Sequence, residues 1–471
     1  MTQGLQSIAG RKVLLLNWRD LGHPAAGGAE AYCVEVAERL AAAGAEVTLF
    51  TARHAGAADT DLRRGVRIVR QGGTFGVYAR AAAYMRRHRD DFDAVVDFQN
   101  GIPFFAPIFA GRSAAVVLVV HHVHQDQFLL HFPWPLSRVG QFLEGPVSRR
   151  VYNRRPLVAV SPSTRRDVRR RLRLRGPIHV VPNGLSRSTQ EYVRRPAEHP
   201  HLVVVSRLVT QKRFRLLIEA VDELRDTWPA LRVDIAGDGP ERVALQAQVD
   251  ALGLQDRVRL HGYTSAEVRD ELLSSAWLTV SPSQAEGWGL TVIEANAAGV
   301  PAVTFAVPGL RDSVVDGVTG WLVPDGERLS VGIDRALRRL ADPDEAAALS
   351  TRCRAWAGRF TWDATAERLA AVTTGEIDRV RGLARSRRLH SDLATRVDAR
   401  QVDGRSSEAA LTATAGRIRR SDQRVASADG VRLVLHGCDE DGAEAVLARL
   451  GWSADRVGLA TSAEVLVGAD E

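Results

Sequence analysis

The stretch Ser283-Gln284-Ala285-Glu286-Gly287-Trp288-Gly289-Leu290-Thr291-Val292-Ile293-Glu294-Ala295-Asn296-Ala297-Ala298-Gly299-Val300-Pro301 lies between two short apolar, β-type runs at residues 278–280 and 302–305. Strand, glycine-rich turn, helix and strand in that order form one βαβ unit, the building block of parallel α/β sheets. The turn carries chemistry as well. Glu286 in the loop and Glu294 in the following helix stand eight positions apart, so both can face one ligand lying along the helix start. Exposed amides of Gly287, Trp288 and Gly289, together with the positive end of the helix dipole, would meet an anionic group there. A phosphorylated sugar suits both halves of such a site.

The same alternation runs outward through most of the chain. Strands are expected near residues 13–17, 47–51, 67–70, 94–97, 115–120 and 157–160, with helices near 29–43 and 77–88. The pattern restarts with strands near 202–205, 232–236, 258–261, 278–280 and 302–305, and a helix near 216–226. Two doubly wound domains joined around residues 182–200 follow, with ligands bound at the carboxyl ends of strands facing a cleft.

Of 63 lysines and arginines only Lys12 and Lys212 are lysine, so a lysine at a strand-to-helix turn stands out. In Ser206-Arg207-Leu208-Val209-Thr210-Gln211-Lys212, Arg207 can grip two phosphate oxygens while Lys212 supplies a compact point charge to the same diphosphate. Taken alone each would be an ordinary solvated cation. Beside the glutamate pair they read as a diphosphate site. In the first half, Gly27-Gly28-Ala29-Glu30 opens a helix where backbone can approach a phosphate or sugar, and His121, His122 and His124 follow the strand at 115–120. His121 and His124 lack a nearby acidic third ligand, so the sequence predicts no metal site.

A chain of 471 residues, 45% hydrophobic and 25% charged, can bury two or three cores. No basic stretch precedes an apolar one at the N-terminus and no apolar run approaches a membrane span, so a cytoplasmic protein is expected. Cys33, Cys353 and Cys438 are too widely spaced for a zinc site and too few for a disulfide framework. The net charge of +7 is concentrated between residues 147 and 175, where eleven arginines face one aspartate. Such a cluster attracts phosphate-bearing partners, and the aromatic and aliphatic run from Phe128 to Leu143 beside it suits a membrane interface better than a duplex groove. No nucleic-acid motif accompanies it.

Glu286-Gly-Trp-Gly-Leu290 with Glu294 and Gly299-Val-Pro301, Ser206-Arg207 with Lys212, Val181-Pro-Asn183-Gly184, Gly237-Asp-Gly-Pro240 and Gly27-Gly28-Ala-Glu30 together resemble the family-4 retaining glycosyltransferases of GT-B fold, over about residues 10–380. The resemblance implies two Rossmann-like domains, 1–190 on the acceptor side and 191–360 for the nucleotide sugar, with a helix at 361–380 closing back on the first. It implies that Arg207 and Lys212 bind the diphosphate of a UDP- or GDP-sugar, that Glu294 holds the ribose and that Glu286 holds the transferred hexosyl group. Gly287, Trp288, Gly289 and Leu290 would complete the donor site, Gly28 would lie against the diphosphate or the acceptor side, and His121, with His122 as second choice, would contact the sugar near the reacting carbon. Retention without an essential metal or other cofactor is also implied, and the acceptor would be lipid-linked or at the inner face of a membrane, in envelope polysaccharide or glycolipid assembly. Another GT-B sugar-nucleotide enzyme, such as an epimerase, or a transferase to a soluble acceptor are the alternatives. Two departures stand out: Arg213 where many members have glycine, and Trp288 where phenylalanine is common. Beyond the resemblance, residues 381–430 read as an Arg-rich disordered linker. Residues 431–471 read as a small acidic α/β extension, with strands near 431–435 and 463–467 around a helix near 440–450.

Overall fold

The computed structural model describes residues 3–24, 26–186, 192–382, 394–400, 412, 414, 417–418, 423–427, 430–436 and 446–452. These form two units, Met1–Val181 with Ala366–Glu471, and Pro182–Thr365. The divisions fall near the expected 190/191 and 360/361, but the second cuts inside the helix Trp362–Val380 rather than before it.

In the first unit the strands are β1 Lys12–Leu16, β2 Glu46–Thr51, β3 Thr60–Arg63, β4 Val66–Arg70, β5 Ala94–Gln99, β6 Ala115–Val120, β7 Leu157–Ala159 and β8 Ile178–Val180. They make one sheet in the order β3-β4-β2-β1-β5-β6-β7-β8, parallel except for the β3–β4 pair. Every residue of β5 and β6 is buried, because helices cover both faces of a parallel sheet. The chain runs outward from β1 to β2 on one side and resumes at β5 on the other. Loops after β1 and β5 therefore splay apart at the point where such sheets open a crevice.

The second unit repeats this plan with β9 His201–Val205, β10 Arg232–Ala236, β11 Val258–Gly262, β12 Thr279–Ser281, β13 Ala302–Phe305 and β14 Gly320–Val323. Two parallel three-stranded sheets, β11-β10-β9 and β12-β13-β14, meet through a parallel bridge between Leu202 and Leu278. A shared core including Leu202, Val204, Ile235, Leu278, Val280, and Val303 joins them. The switch in strand order falls between β9 and β12. Their following loops hold Arg207 with Lys212 and Glu286 respectively.

Residues 381–430 are expected as an arginine-rich linker, and the described part of them includes strands. β15 Ala394–Arg400 and β16 Gln423–Ser427 flank β17 Gly430–His436 in an antiparallel sheet. Val397, Val431, Leu433 and Leu435 share a core with Val446, Leu447, Leu450 and Trp452. Overall charge concealed this strand, since Thr395, Val397 and Ala399 alternate with Arg396, Asp398 and Arg400 at period two. Residues 446–450 are helical, within the helix expected at 440–450, and the strand expected at 463–467 lies outside the described residues.

Gly237 ends β10 with φ +146, and a Cβ there would come within 1.8 Å of the Ser206 carbonyl oxygen. Its N–H donates to the Gly262 carbonyl at 2.8 Å, so the backbone has no room to withdraw. Gly237→Ala is expected to lower the stability of the second unit by roughly 2–4 kcal/mol, combining left-handed strain with overpacking. Urea unfolding that matches the parent protein would refute this.

Candidate functional site

Lys212 closes a single 3-10 turn, Thr210–Lys212, immediately after β9. From it the ammonium reaches across the switch point to the loop after β12 and pairs with Glu286 Oε1. The Ser283 hydroxyl donates to the same oxygen at 2.8 Å. Both charged side chains are largely buried, so the pair is poorly screened. Backbone bonds hold the loops in this register: Gln284 N–H donates to the Gln211 carbonyl at 2.9 Å, and Glu286 N–H to the Pro308 carbonyl at 3.0 Å. The ammonium keeps further N–H donors beyond the one spent on Glu286, and Glu286 Oε2 has no hydrogen-bond partner among the described residues.

Arg213 explains why glycine is common at its position. Its φ is +51 and its ψ 36, a left-handed conformation that an L-residue with a side chain adopts at a cost. The side chain offsets that strain. Nε donates to the Pro282 carbonyl at 2.8 Å, a terminal nitrogen donates to the Ser283 carbonyl at 3.0 Å, and another pairs with Asp325 at 3.0 Å. The guanidinium also lies 4.8 Å from the Phe305 ring centre. Arg213 is thus a clamp on the loop that carries Glu286, rather than a spare surface charge.

Gly289, with φ +78, turns the chain into the helix Leu290–Ala297, and a Cβ there would meet Ser313 Oγ at 2.6 Å. The amides expected to be exposed belong to buried residues in part, since Trp288 and Gly289 are both buried. The cause is the Trp288 indole, which packs edge-on against Phe360 with ring centres 4.9 Å apart. The N–H groups of Trp288, Gly289 and Leu290 still find no acceptor among the described residues, as at any helix start. One turn along, Glu294 is partly exposed and its carboxylate makes no hydrogen bond to the described residues. Desolvation raises its pKa, against a smaller opposing effect from Arg269. Arg207 is exposed, and its guanidinium has no partner among the described residues. The structure therefore gathers Lys212 and Glu286 into direct contact and leaves Arg207 and Glu294 open to a ligand.

In the first unit Gly28 is the exposed first residue of the helix Gly28–Ala42, and Glu30 turns back so that its carboxylate accepts the Gly27 N–H at 2.7 Å. His121 follows β6 and is only 8% exposed. Its ring stacks on Phe98 at 6.0 Å and meets Tyr32 edge-on at 5.1 Å. Nε2 is buried with no hydrogen-bond partner among the described residues. Burial, with the nearby His124 ring as a second cause, lowers its pKa to about 3, so the imidazole is neutral at physiological pH. His122 is half-buried, and its carbonyl accepts from His124 Nδ1 at 2.9 Å.

Sequence reasoning missed Glu144, a fully buried carboxylate in the π-turn Leu143–Val147. It accepts from His124 N–H at 2.7 Å, from the Gln125 amide at 2.7 Å and from the Gln99 amide at 3.2 Å, fixing the chain that follows His121. Pro146 within a helical stretch was the available signal. Asp20, also missed, is buried after β1 against Arg70 Nε at 2.5 Å and His54 Nε2 at 3.2 Å, and caps the Gly22 N–H at 3.0 Å.

Residues 26–189 match the family described as Glycosyltransferase Family 4, and residues 188–355 that described as Glycosyl transferases group 1. A D-inositol 3-phosphate glycosyltransferase of Xylanimonas cellulosilytica is 27% identical over 395 residues, covering 74% of this chain and 91% of that protein. A GDP-mannose-dependent alpha-(1-6)-phosphatidylinositol monomannoside mannosyltransferase of Mycolicibacterium smegmatis is 33% identical over 186 residues, 38% of this chain and 48% of that one. Among solved structures, sucrose-phosphate synthase from Thermosynechococcus elongatus superposes with a TM-score of 0.64 at 22% identity, covering 76% of this chain and 97% of that chain.

The His121 environment sets a pH dependence of stability. With a native pKa of about 3 against an ordinary 6.5, the unfolded chain alone takes up this proton in between. Stability from the neutral imidazole is therefore intact above pH 6.5 and is lost as pH falls toward 3. Relative to His121→Phe, the parent protein should lose about 2 kcal/mol between pH 7.5 and pH 5. Parallel stability curves from denaturant melts at the two pH values would contradict this.

Proposed function

The chain is a group 1 glycosyltransferase of the GT-B type, and on that premise we propose that it transfers a hexosyl group from a nucleoside-diphosphate sugar to an acceptor hydroxyl with retention at the anomeric carbon. The observation that carries the reading is the Lys212–Glu286 pair at the switch point of the second unit. It presents spare ammonium donors and a spare carboxylate oxygen within one small site. The ammonium donors and the unpaired Arg207 suit a diphosphate, and Oε2 of Glu286 suits sugar hydroxyls. Glu294, whose carboxylate makes no hydrogen bond to the described residues, is assigned to the ribose.

Departure of a nucleoside diphosphate needs its developing negative charge stabilised. Lys212 and the N–H groups of Trp288, Gly289 and Leu290, without acceptors among the described residues, supply that stabilisation from positions the fold holds, Arg207 adds an exposed charge, and no metal ion is required for it. Front-face attack by the acceptor then retains configuration, and no carboxylate of the second unit is nominated as a covalent nucleophile. His121, held neutral, is the first unit's candidate for the transferred sugar, as a hydrogen-bonding group and not as a charge. UDP and GDP are both carried as donor nucleotides, and the Mycolicibacterium relative is named for GDP-mannose.

For the acceptor, the reading is a lipid-linked or membrane-surface hydroxyl. No helix of the described residues is long and apolar enough to cross a membrane. The helices Gln125–His131 and Leu136–Phe142, however, leave Leu129, Trp134, Leu136, Val139 and Phe142 exposed in one continuous stretch of chain, with Trp134 75% exposed. An amphipathic aromatic ring so placed sits well at a lipid interface.

Two measurements test this. By calorimetry, Lys212→Ala should weaken binding of the cognate nucleoside diphosphate roughly 10- to 100-fold, the worth of one charge-assisted contact. Glu286→Gln should weaken the sugar nucleotide but spare the bare diphosphate. Equal losses of both ligands in Glu286→Gln would remove the assignment of Glu286 to the sugar. Vesicles of phosphatidylcholine with phosphatidylglycerol should retain the parent protein and release Trp134→Ala with Phe142→Ser. Indifference of the doubly substituted protein would end the membrane reading.

A further inference from the structure

Six arginines converge on one cavity at the other end of the first unit's sheet. Arg149, Arg150, Arg154, Arg155, Arg173 and Arg175 line a depression of about 760 Å³, a volume suited to a multiply charged small ligand. Arg155 stands just before Pro156 and β7, and Arg175 just before Gly176, Pro177 and β8, so both mark the amino ends of these strands. His121, by contrast, follows the carboxyl end of β6, which runs parallel to β7. The cavity therefore lies at the opposite end of the strands from His121.

Its walls are fixed rather than incidental. Leu157 N–H donates to the Pro177 carbonyl at 2.8 Å, and a Cβ on Gly176 would meet the Arg155 carbonyl oxygen at 2.2 Å, so the two arginine-bearing loops lie back to back. Asn153 Oδ1 accepts the Arg175 N–H at 2.9 Å and ties one loop to the other. Arg173 is held at φ +56, left-handed for a residue with a side chain. Of these six arginines only Arg155 has an acidic partner among the described residues, Glu376 at 3.7 Å. Arg149, Arg150, Arg154, Arg173 and Arg175 are exposed around this one depression, and none of them has a carboxylate partner among the described residues. Five exposed like charges around one depression repel one another through solvent, and an anion seated among them relieves that repulsion. Planar forks favour phosphate oxygens, which accept two N–H donors at once.

We propose that this cavity is a second anion site, separate from the donor site, for a ligand carrying two or more phosphate groups. A free oligophosphate and the phosphorylated head of a lipid present the same chemistry. One site of this kind on the transferase would let such a ligand hold or regulate the enzyme without entering the sugar-transfer site.

The test is calorimetric titration with tripolyphosphate at low and moderate salt. Arg150→Gln with Arg173→Gln should weaken binding at least 10-fold, whereas Lys212→Ala, which damages the donor site, should leave this binding in place. Arg86→Gln with Arg87→Gln, an equal change of charge on the helix Gly76–Arg87, should bind as the parent does. Unchanged binding in the cavity variant, loss in Lys212→Ala alone, or equal loss in the Arg86/Arg87 control would each overturn the proposal. Thermal melts confirm that the variants fold. Vesicles of phosphatidylcholine with cardiolipin, whose head carries two phosphates, then identify the source: release of the cavity variant, and of the parent by added tripolyphosphate, assigns a lipid head, whereas retention of both with tripolyphosphate binding lost in the variant assigns a free ligand.

Discussion

The pairing of Lys212 with Glu286 is the constraint around which the second unit's site is arranged. It joins two loops that leave neighbouring strands, β9 and β12, on opposite sides of a change in strand order. A largely buried ion pair is a doubtful source of net stability, because desolvating two charges costs about as much as their attraction returns. Its value here is positional. Ser283 fixes the carboxylate from one side, and Arg213 clamps the carbonyls of Pro282 and Ser283 from the other. A strained left-handed residue, Arg213, is tolerated in order to hold that loop.

The first unit solves a related problem by different means. Its candidate group, His121, is positioned by aromatic packing against Tyr32 and Phe98, and the segment after it is held by the buried carboxylate of Glu144. Burial makes the imidazole neutral and leaves Nε2 without a hydrogen-bond partner among the described residues. An unsatisfied buried nitrogen costs free energy. A sugar hydroxyl reaching it would recover that cost, a gain available only when substrate is present.

Much of this was legible in the sequence where burial dictates composition. The strands 115–120 and 302–305 coincide with their largely apolar runs because a parallel strand covered on both faces tolerates little else. The edge strand Thr60–Arg63 was not legible, since all four residues are exposed and Leu62 alone among them is apolar, and Ile178–Val180 is only three residues long. Charge misled at 394–400, where the period-two pattern of a strand lies under an arginine-rich composition. In the sites, residue types were readable but partners were not. Lys212 and Glu286 are 74 positions apart, and only the strand order brings them together. The arginine cluster was likewise visible as charge, while the cavity depends on two loops meeting about twenty residues apart in the chain.

The central claim is that one cradle, centred on Lys212 and Glu286, holds the two ends of the donor that react. A crystal structure of the protein with its nucleoside-diphosphate sugar tests it most directly. The account predicts diphosphate oxygens within hydrogen-bond distance of Lys212 Nζ and Arg207, with a sugar hydroxyl on Glu286 Oε2. A diphosphate bound away from Lys212, or a Glu286 carboxylate turned from the sugar, would contradict it.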